Sequence, residues 1–313
     1  MSERQNTCPV FKTSIGGQAL MEGIMMRGPQ KLAYAVRNPQ GEIVVEEQTV
    51  NKNRWQKIPL IRGVVSFIES MITGYQCLMR SAEIALDEKD QEPPSRFEKW
   101  LTEKFGEKGE RMMMTFGGLL GGLFAIVLFM ILPTFVVGIF NQIIPLGNLK
   151  TLLEGIVKIS ILVLYMFVIS KIPDIFRMFQ YHGAEHKTIT CYENGWDLNV
   201  ENVRKCSRLH PRCGTSFLLI LLVVSVILFS GVSWNHMMLR VLYKLLLLPV
   251  VMGISYEILK ICGRYDNALT RAISAPGLWL QKITTQEPDD QMIECAITAL
   301  QAVVPENRED GKW

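Results

Sequence analysis

Residues 112–140 (MMMTFGGLLGGLFAIVLFMILPTFVVGIF) carry no charge. About 20 apolar residues suffice for a helix to cross the hydrocarbon core of a bilayer. Helices and closed barrels are the structures that cross, because backbone N–H and C=O groups find no water there. This stretch therefore reads as a spanning helix, tilted or bent at Pro133. Three more stretches reach spanning length: 152–170 (LLEGIVKISILVLYMFVIS), 216–234 (SFLLILLVVSVILFSGVSW) and 241–261 (VLYKLLLLPVVMGISYEILKI). Helices of a soluble core are seldom apolar on every face over such lengths. The expected fold is a polytopic α-helical membrane protein with four transmembrane helices and a small N-terminal α+β cytoplasmic unit.

Orientation follows from the basic residues near the span ends. Lys99, Lys104, Lys108 and Arg111 precede the first span; Lys171, Arg177, Lys187, Arg204, Lys205, Arg208 and Arg212 lie between the second and third; Lys260, Arg264 and Arg271 follow the fourth. The other two loops hold only Lys150 and Arg240. Both termini and residues 171–215 are therefore expected in the cytoplasm. A net charge of +3 is too small to point to nucleic acid. The expected partners are membrane lipids and other membrane proteins. Residues 1–20 lack the basic start and apolar core of a cleaved signal, so the first span is expected to direct targeting. Seven cysteines without a C-x-x-C pair suit reduced thiols.

The remaining chain divides around these spans. Residues 1–94 read as the α+β unit with an amphipathic helix, and 95–170 as a juxtamembrane helix plus the first two spans. Residues 171–215 form a His-rich cytoplasmic loop, 216–262 hold the last two spans, and 263–313 form a C-terminal tail with an amphipathic helix. Within the first unit, Asn38-Pro39-Gln40-Gly41 separates two strand-like runs over 31–50 and predicts a hairpin. The Gly- and Met-rich stretch 15–29 matches no phosphate-loop pattern and reads as tight backbone packing. Residues 61–86 carry an apolar stripe at helical spacing, suited to covering the hairpin or lying at the membrane interface. Residues 87–94 read as a charged linker, Ser95 with Glu98 as a capping box, and 287–303 as an amphipathic helix. No internal repeat is present, which argues against a transporter of inverted halves.

Three of the four histidines, His182, His186 and His210, fall between the second and third spans. Pro173 and Asp174 can open a helix there and Asn194-Gly195 can end it. On that helix His182 and His186 are four apart and share a face. Two imidazoles so placed can hold one divalent ion, zinc by preference, while Glu185 accepts a proton from a water the ion activates. The order H-x-x-E-H is that of the inverted zincins. Gly183 and the run Thr188-Ile189-Thr190 weaken the helix. His210 and Cys213, beside Pro211, are candidates for a further ligand, with Cys191 and Glu193 behind them. Glu257 is another, as an ionisable residue ~6 Å from the cytoplasmic end of the fourth span. Glu154 and Lys158, four apart, read as a mutual pair in the second span.

The motifs GGQALMEGIMMRGP, IRGVVSFIES, YHGAEHKTITCYENG, LNVENVRKCSRLHPRCGTSF and APGLWLQKITTQEPDD resemble, in order and nearly end to end, the bacterial membrane proteins of domain-of-unknown-function family 1385. The resemblance implies a multi-pass protein of the bacterial inner membrane and a metal-dependent enzyme. Two readings of function remain open. One is a metal-dependent hydrolase, peptidase-like, at the cytoplasmic membrane face, with His182 and His186 as ligands, Glu185 as base, and His210, Cys213 or Glu257 completing the site. The other is a non-enzymatic scaffold or membrane-protein assembly factor, in which the same loop is a structural metal site or polar knot.

Overall fold

The computed structural model describes residues 11–50, 54–86, 100, 104–234 and 236–311. The linker 87–94 and the Ser95–Glu98 capping box lie outside them. By contact density the chain forms two compact units, one of residues 1–86, 165–224 and 249–313 and the other of residues 87–164 and 225–248.

In the first unit, β1 (Gly16–Leu20), β2 (Gly23–Arg27), β3 (Lys31–Arg37) and β4 (Ile43–Thr49) form one antiparallel sheet in chain order. The expected hairpin is β3–β4. Gly41 turns at φ 87°, and Asn38 Oδ1 accepts the Glu42 amide at 2.8 Å. The β1–β2 hairpin has no alternating signature, because the sheet is covered on both faces. Residues 23–26 and 32–36 are all buried. Ile24, Met26, Ala33 and Ala35 pack on one side against α5 (Pro173–Glu193) and α10 (Asp290–Val303), through Tyr181, Ala184, Ile189, Met292, Ala296 and Leu300. Leu20, Met25, Leu32, Tyr34 and Val36 pack on the other side against Cys77 of α1 (Ile61–Ala85). The glycines of this region do serve close approach. A Cβ on Gly23 would stand 2.4 Å from the Ala35 carbonyl oxygen, and one on Gly28 2.5 Å from that of Val303.

Three helical runs are long and apolar enough to cross a membrane: Thr115–Ile143, Lys150–Ile169 and Met237–Arg264. The first is α2 (Glu107–Ile126), a π-helical turn (Val127–Ile131) and α3 (Leu132–Ile143). Pro133 follows the π turn, where its missing N–H and bulky ring displace the regular hydrogen bonds. The other two are α4 (Lys150–Ile169) and α8 (Met237–Arg264). The third expected span is shorter than its hydropathy suggested: α7 (Gly214–Phe229) has 16 residues and ends before Ser230-Gly231. Arg240, read from sequence as a loop residue, belongs to α8.

α1 packs on both the sheet and the C-terminal part of α8, within the first unit. Its C-terminal half covers the sheet, while a Cβ on Gly63 would stand 2.6 Å from Cβ of Tyr256 in α8. α6 (Val200–Lys205) is capped by Asn199, whose side chain accepts the Asn202 amide. α9 (Ala268–Thr284) is capped by Asn267 through Thr270.

Candidate metal centre

α5 begins at Pro173, carries Asp174 in its first turn and ends at Asn194 and Gly195, the latter at φ 70°. This places His182 and His186 on one face, with ring centroids 4.4 Å apart. Each ring is oriented by a backbone carbonyl: His182 Nδ1 meets Thr284 O at 2.8 Å and His186 Nδ1 meets Arg208 O at 2.6 Å. A carbonyl only accepts, so both Nδ1 atoms carry a proton, and each Nε2 is the atom that presents a lone pair when its ring is neutral. His182 Nε2 lies 3.2 Å from Cys213 Sγ. His186 Nε2 is buried without a hydrogen-bond partner. Donor atoms of His182, His186 and Cys213 all lie within 4.8 Å of one another. Among the described residues these three form the one group of its kind.

The close approach depends on two glycines. A Cβ on Gly183 would fall 1.9 Å from the Gln286 carbonyl oxygen. Gly183 therefore lets the segment after α9 lie along α5, where Gln286 N donates to Phe179 O at 2.8 Å and Thr284 reaches His182. The residue that weakens the helix on propensity is the one that admits the orienting carbonyl. Gly17 of β1 does the same for Glu185, whose Cδ would lie 2.9 Å from a Cβ there. Glu185 Oε2 is buried and unpartnered.

The electrostatics follow from this packing. Burial pushes His182 down, but the Cys213 thiol and Glu185 outweigh it and raise it to about 9. Burial also opposes ionisation of Cys213, yet His186 and His182 hold it well below the ordinary thiol range. Burial keeps Glu185 above the usual carboxylate range against the pull of both imidazoles.

The other sequence candidates stand differently. His210 is buried, 5.7 Å from His186 between ring centroids, but its Nε2 lies 3.5 Å from Glu193 Oε2 and 3.2 Å from Arg212 Nη2. Gln281 fixes its backbone, accepting its amide at 2.8 Å and donating to its carbonyl at 2.7 Å. Burial lowers His210, and Glu193 is held below its usual range, against burial, by His210 and Arg212. Glu193 thus organises the neighbouring loop, also accepting the Thr13 amide at 2.7 Å. Cys191 packs in an apolar cluster with Val203, Cys206 and Ile293. Glu257 is outside the group, because its carboxylate accepts Arg62 Nε at 2.7 Å and the Leu60 amide at 3.2 Å. Sequence reasoning missed Thr284, Arg208 and Gly17, and a backbone carbonyl leaves no trace in a residue pattern. A cavity of 530 Å3 beside the group is lined by Glu193, His210, Arg212, Cys206 and Ser274 among others.

The donor set suits zinc. Imidazoles that give up their Nε2 protons and a thiolate are borderline-to-soft ligands, and a tetrahedral zinc ion spaces its donors by roughly 3.3–3.8 Å. His186 Nε2, without a hydrogen-bond partner among the described residues, is sterically and chemically able to serve as a donor to such an ion. Across known proteins, the chain is 36% identical over 290 residues to the uncharacterised protein YqhQ of Bacillus subtilis (strain 168), covering 90% of this chain and 89% of that one. No solved structure matches it. Residues 58–306 match a family described as proteins of unknown function, and the chain belongs to that family, DUF1385.

Proposed function

We propose that this protein is a multi-pass metal-dependent hydrolase, peptidase-like, of the bacterial inner membrane, with its site at the cytoplasmic face. One observation carries the reading: two imidazoles preset by backbone carbonyls bring their Nε2 atoms to the space shared with Cys213 Sγ, next to a carboxylate oxygen that is buried without a partner among the described residues. His182, His186 and Cys213 would hold a divalent ion, and three protein donors leave a coordination position open, as catalytic sites do. Once bound, that ion supplies Lewis acidity and brings the pKa of water to about 7. Glu185 Oε2 accepts the proton released and returns it to the leaving group. Thr284 and Arg208 keep the imidazoles in one tautomer. His210 and Arg212 face the adjacent cavity, where they can position substrate.

Chain parity supports four crossings rather than three. The sheet, α5 and α10 share one core, so these segments occupy one side of the membrane. Among the described residues, two helical runs of spanning length lie between the sheet and α5, and α8 alone lies between α5 and α10. An even number of crossings there requires α7 to cross as well. Its 16 uncharged residues rise about 24 Å, and Ser230 to Trp234 can complete the path. The basic residues of 171–212 favour a cytoplasmic position for the shared core.

Metal analysis of the purified full chain tests the ligands: wild type should retain zinc and His186→Ala should not. Incubating inner membranes with zinc-loaded wild type or Glu185→Gln tests the chemistry, by mass spectrometry of new peptide termini. Products seen only with wild type support hydrolysis. Identical profiles, with zinc retained in both, would favour the structural-metal scaffold, a reading that gains weight from the 1% exposure of His186.

A further inference from the structure

The spans hold a second polar cluster, near the N-terminal ends of α4 and α8. Glu154 and Lys158 come from α4, Arg240 and Lys244 from α8, and none is more than 4% exposed. Among the described residues, Glu154 is the sole carboxylate paired with these cations. Its Oε2 accepts Arg240 Nη2 at 2.7 Å, and its Oε1 accepts Lys244 Nζ and, at 2.6 Å, Thr134 Oγ1. The expected mutual pair of Glu154 with Lys158 is not formed; α8 supplies the partners instead.

Two donors are left over. Lys158 has no hydrogen bond or ion pair among the described residues, and its ammonium faces the Phe229 ring at 5.3 Å, the same ring that Lys244 approaches at 5.8 Å. Arg240 donates through Nη1 to Val232 O and stacks 3.8 Å over Trp234, but its Nε is buried without a partner. With both lysines protonated, the cluster carries two more positive charges than negative in a segment flanked by hydrocarbon. Buried charges in such places are paired or functional, since an uncompensated one is costly.

We propose that this cluster is an oxyanion site, taking a phosphate or carboxylate group with Lys158 Nζ and Arg240 Nε as donors. Oxygen ligands suit these donors, because the guanidinium Nε–H and the ammonium both present directional N–H groups. The anion is the phosphate of an acidic lipid or a small solute. Arg240 lies about 5 Å along α8 from its start and Lys158 about 12 Å along α4, so a headgroup near the surface and a solute entering from it are both within reach. The site is independent of the histidine centre and of the hydrolase reading.

Thermal unfolding of the full chain tests it in two arms: nanodiscs with phosphatidylglycerol against phosphatidylcholine alone, and detergent with inorganic phosphate against chloride at equal ionic strength. Wild type should be stabilised in at least one arm. A response only to phosphatidylglycerol assigns the anion to lipid, and one only to phosphate assigns it to a solute. Lys158→Met removes a charge that has no partner, so it should fold, melt no lower than wild type without anion, and lose the response. Arg240→Lys keeps a cation for Glu154 but removes Nε, and should weaken the anion effect about tenfold in half-saturating concentration. Zinc content should be unchanged in both. Absence of any wild-type response, or responses of both variants equal to wild type, would overturn the site.

Discussion

The histidine centre and the intramembrane cluster are opposite in kind. In the first, His186 Nε2 and Glu185 Oε2 are acceptors buried without a donor. In the second, Arg240 Nε and Lys158 are donors without an acceptor. Native interiors satisfy nearly all buried polar groups, so each unsatisfied set describes the charge of what would complete it. On the proposed readings one takes a cation and the other an anion. The way each is built differs too: the centre is oriented by backbone carbonyls of Thr284 and Arg208, whereas the cluster is held by side chains around Glu154.

That contrast is broken most severely at Glu154. Glu154→Gln leaves Arg240 and Lys244 buried without a carboxylate, a change that costs about 3–5 kcal/mol where a buried pair is split. The expected outcome is loss of most monodisperse protein, or a large fall in the denaturant midpoint. A variant as stable as wild type would mean that water already reaches the cluster. No side chain at the histidine centre has this structural burden.

The next largest effect is chemical rather than structural. His186→Ala removes an Nε2 that has no hydrogen-bond partner among the described residues, so the fold should persist while zinc falls from about one ion per chain to background. Cys213 gives a second readout. Coordinated thiolate resists alkylation, so iodoacetamide should label Cys213 slowly in zinc-loaded wild type and quickly after chelation or in His186→Ala. Equal labelling rates in all three would leave a Cys213–His182 thiol pair as the better account of the site.

The two regions were unequally legible in the sequence. Pro173, Asp174, Asn194 and Gly195 mark the ends of α5 by local backbone chemistry, and the spacing of His182 and His186 then fixes a shared face. Cys213 could be named as a candidate from its place after Pro211, but not preferred over His210. That choice rests on Glu193 and Arg212 engaging His210, a contact between segments far apart in sequence. The β1–β2 hairpin was hidden because β2 and β3 are buried on both faces and show no alternation. The cluster was missed because hydropathy places Arg240 at a span edge, where a cation reads as a topology signal. Nothing in the sequence tells that α8 starts at Met237 and turns Arg240 inward, with its guanidinium on the Val232 carbonyl just past α7.

A smaller effect separates orientation from ligation. Gly183→Ala sets a methyl group against the Gln286 carbonyl, which belongs to the backbone and has to move. Thr284 O then leaves His182 Nδ1 while all three ligand side chains remain. Loss of an orienting partner typically weakens a metal site 10–100-fold. Competition with a zinc chelator of known affinity measures this, and unchanged affinity would show that the carbonyl does not set the imidazole.

The smallest effect is expected at Glu257, and it sharpens the comparison by marking where the metal centre stops. Its carboxylate is engaged by Arg62 Nε at 2.7 Å and by the Leu60 amide at 3.2 Å, which leaves it committed to holding the start of α1 against α8. Leu60 needs that support, since it adopts φ 67° at the entry to α1. Glu257→Gln keeps an oxygen for the Leu60 amide and loses only the charge opposite Arg62. A partly exposed ion pair of this kind contributes on the order of 1 kcal/mol, so the unfolding midpoint should fall slightly. Zinc content and Cys213 protection should match wild type, because none of the three donors changes its surroundings. A Glu257→Gln protein that loses zinc would bring the end of α8 into the centre, and would replace the His182, His186 and Cys213 set with a larger one.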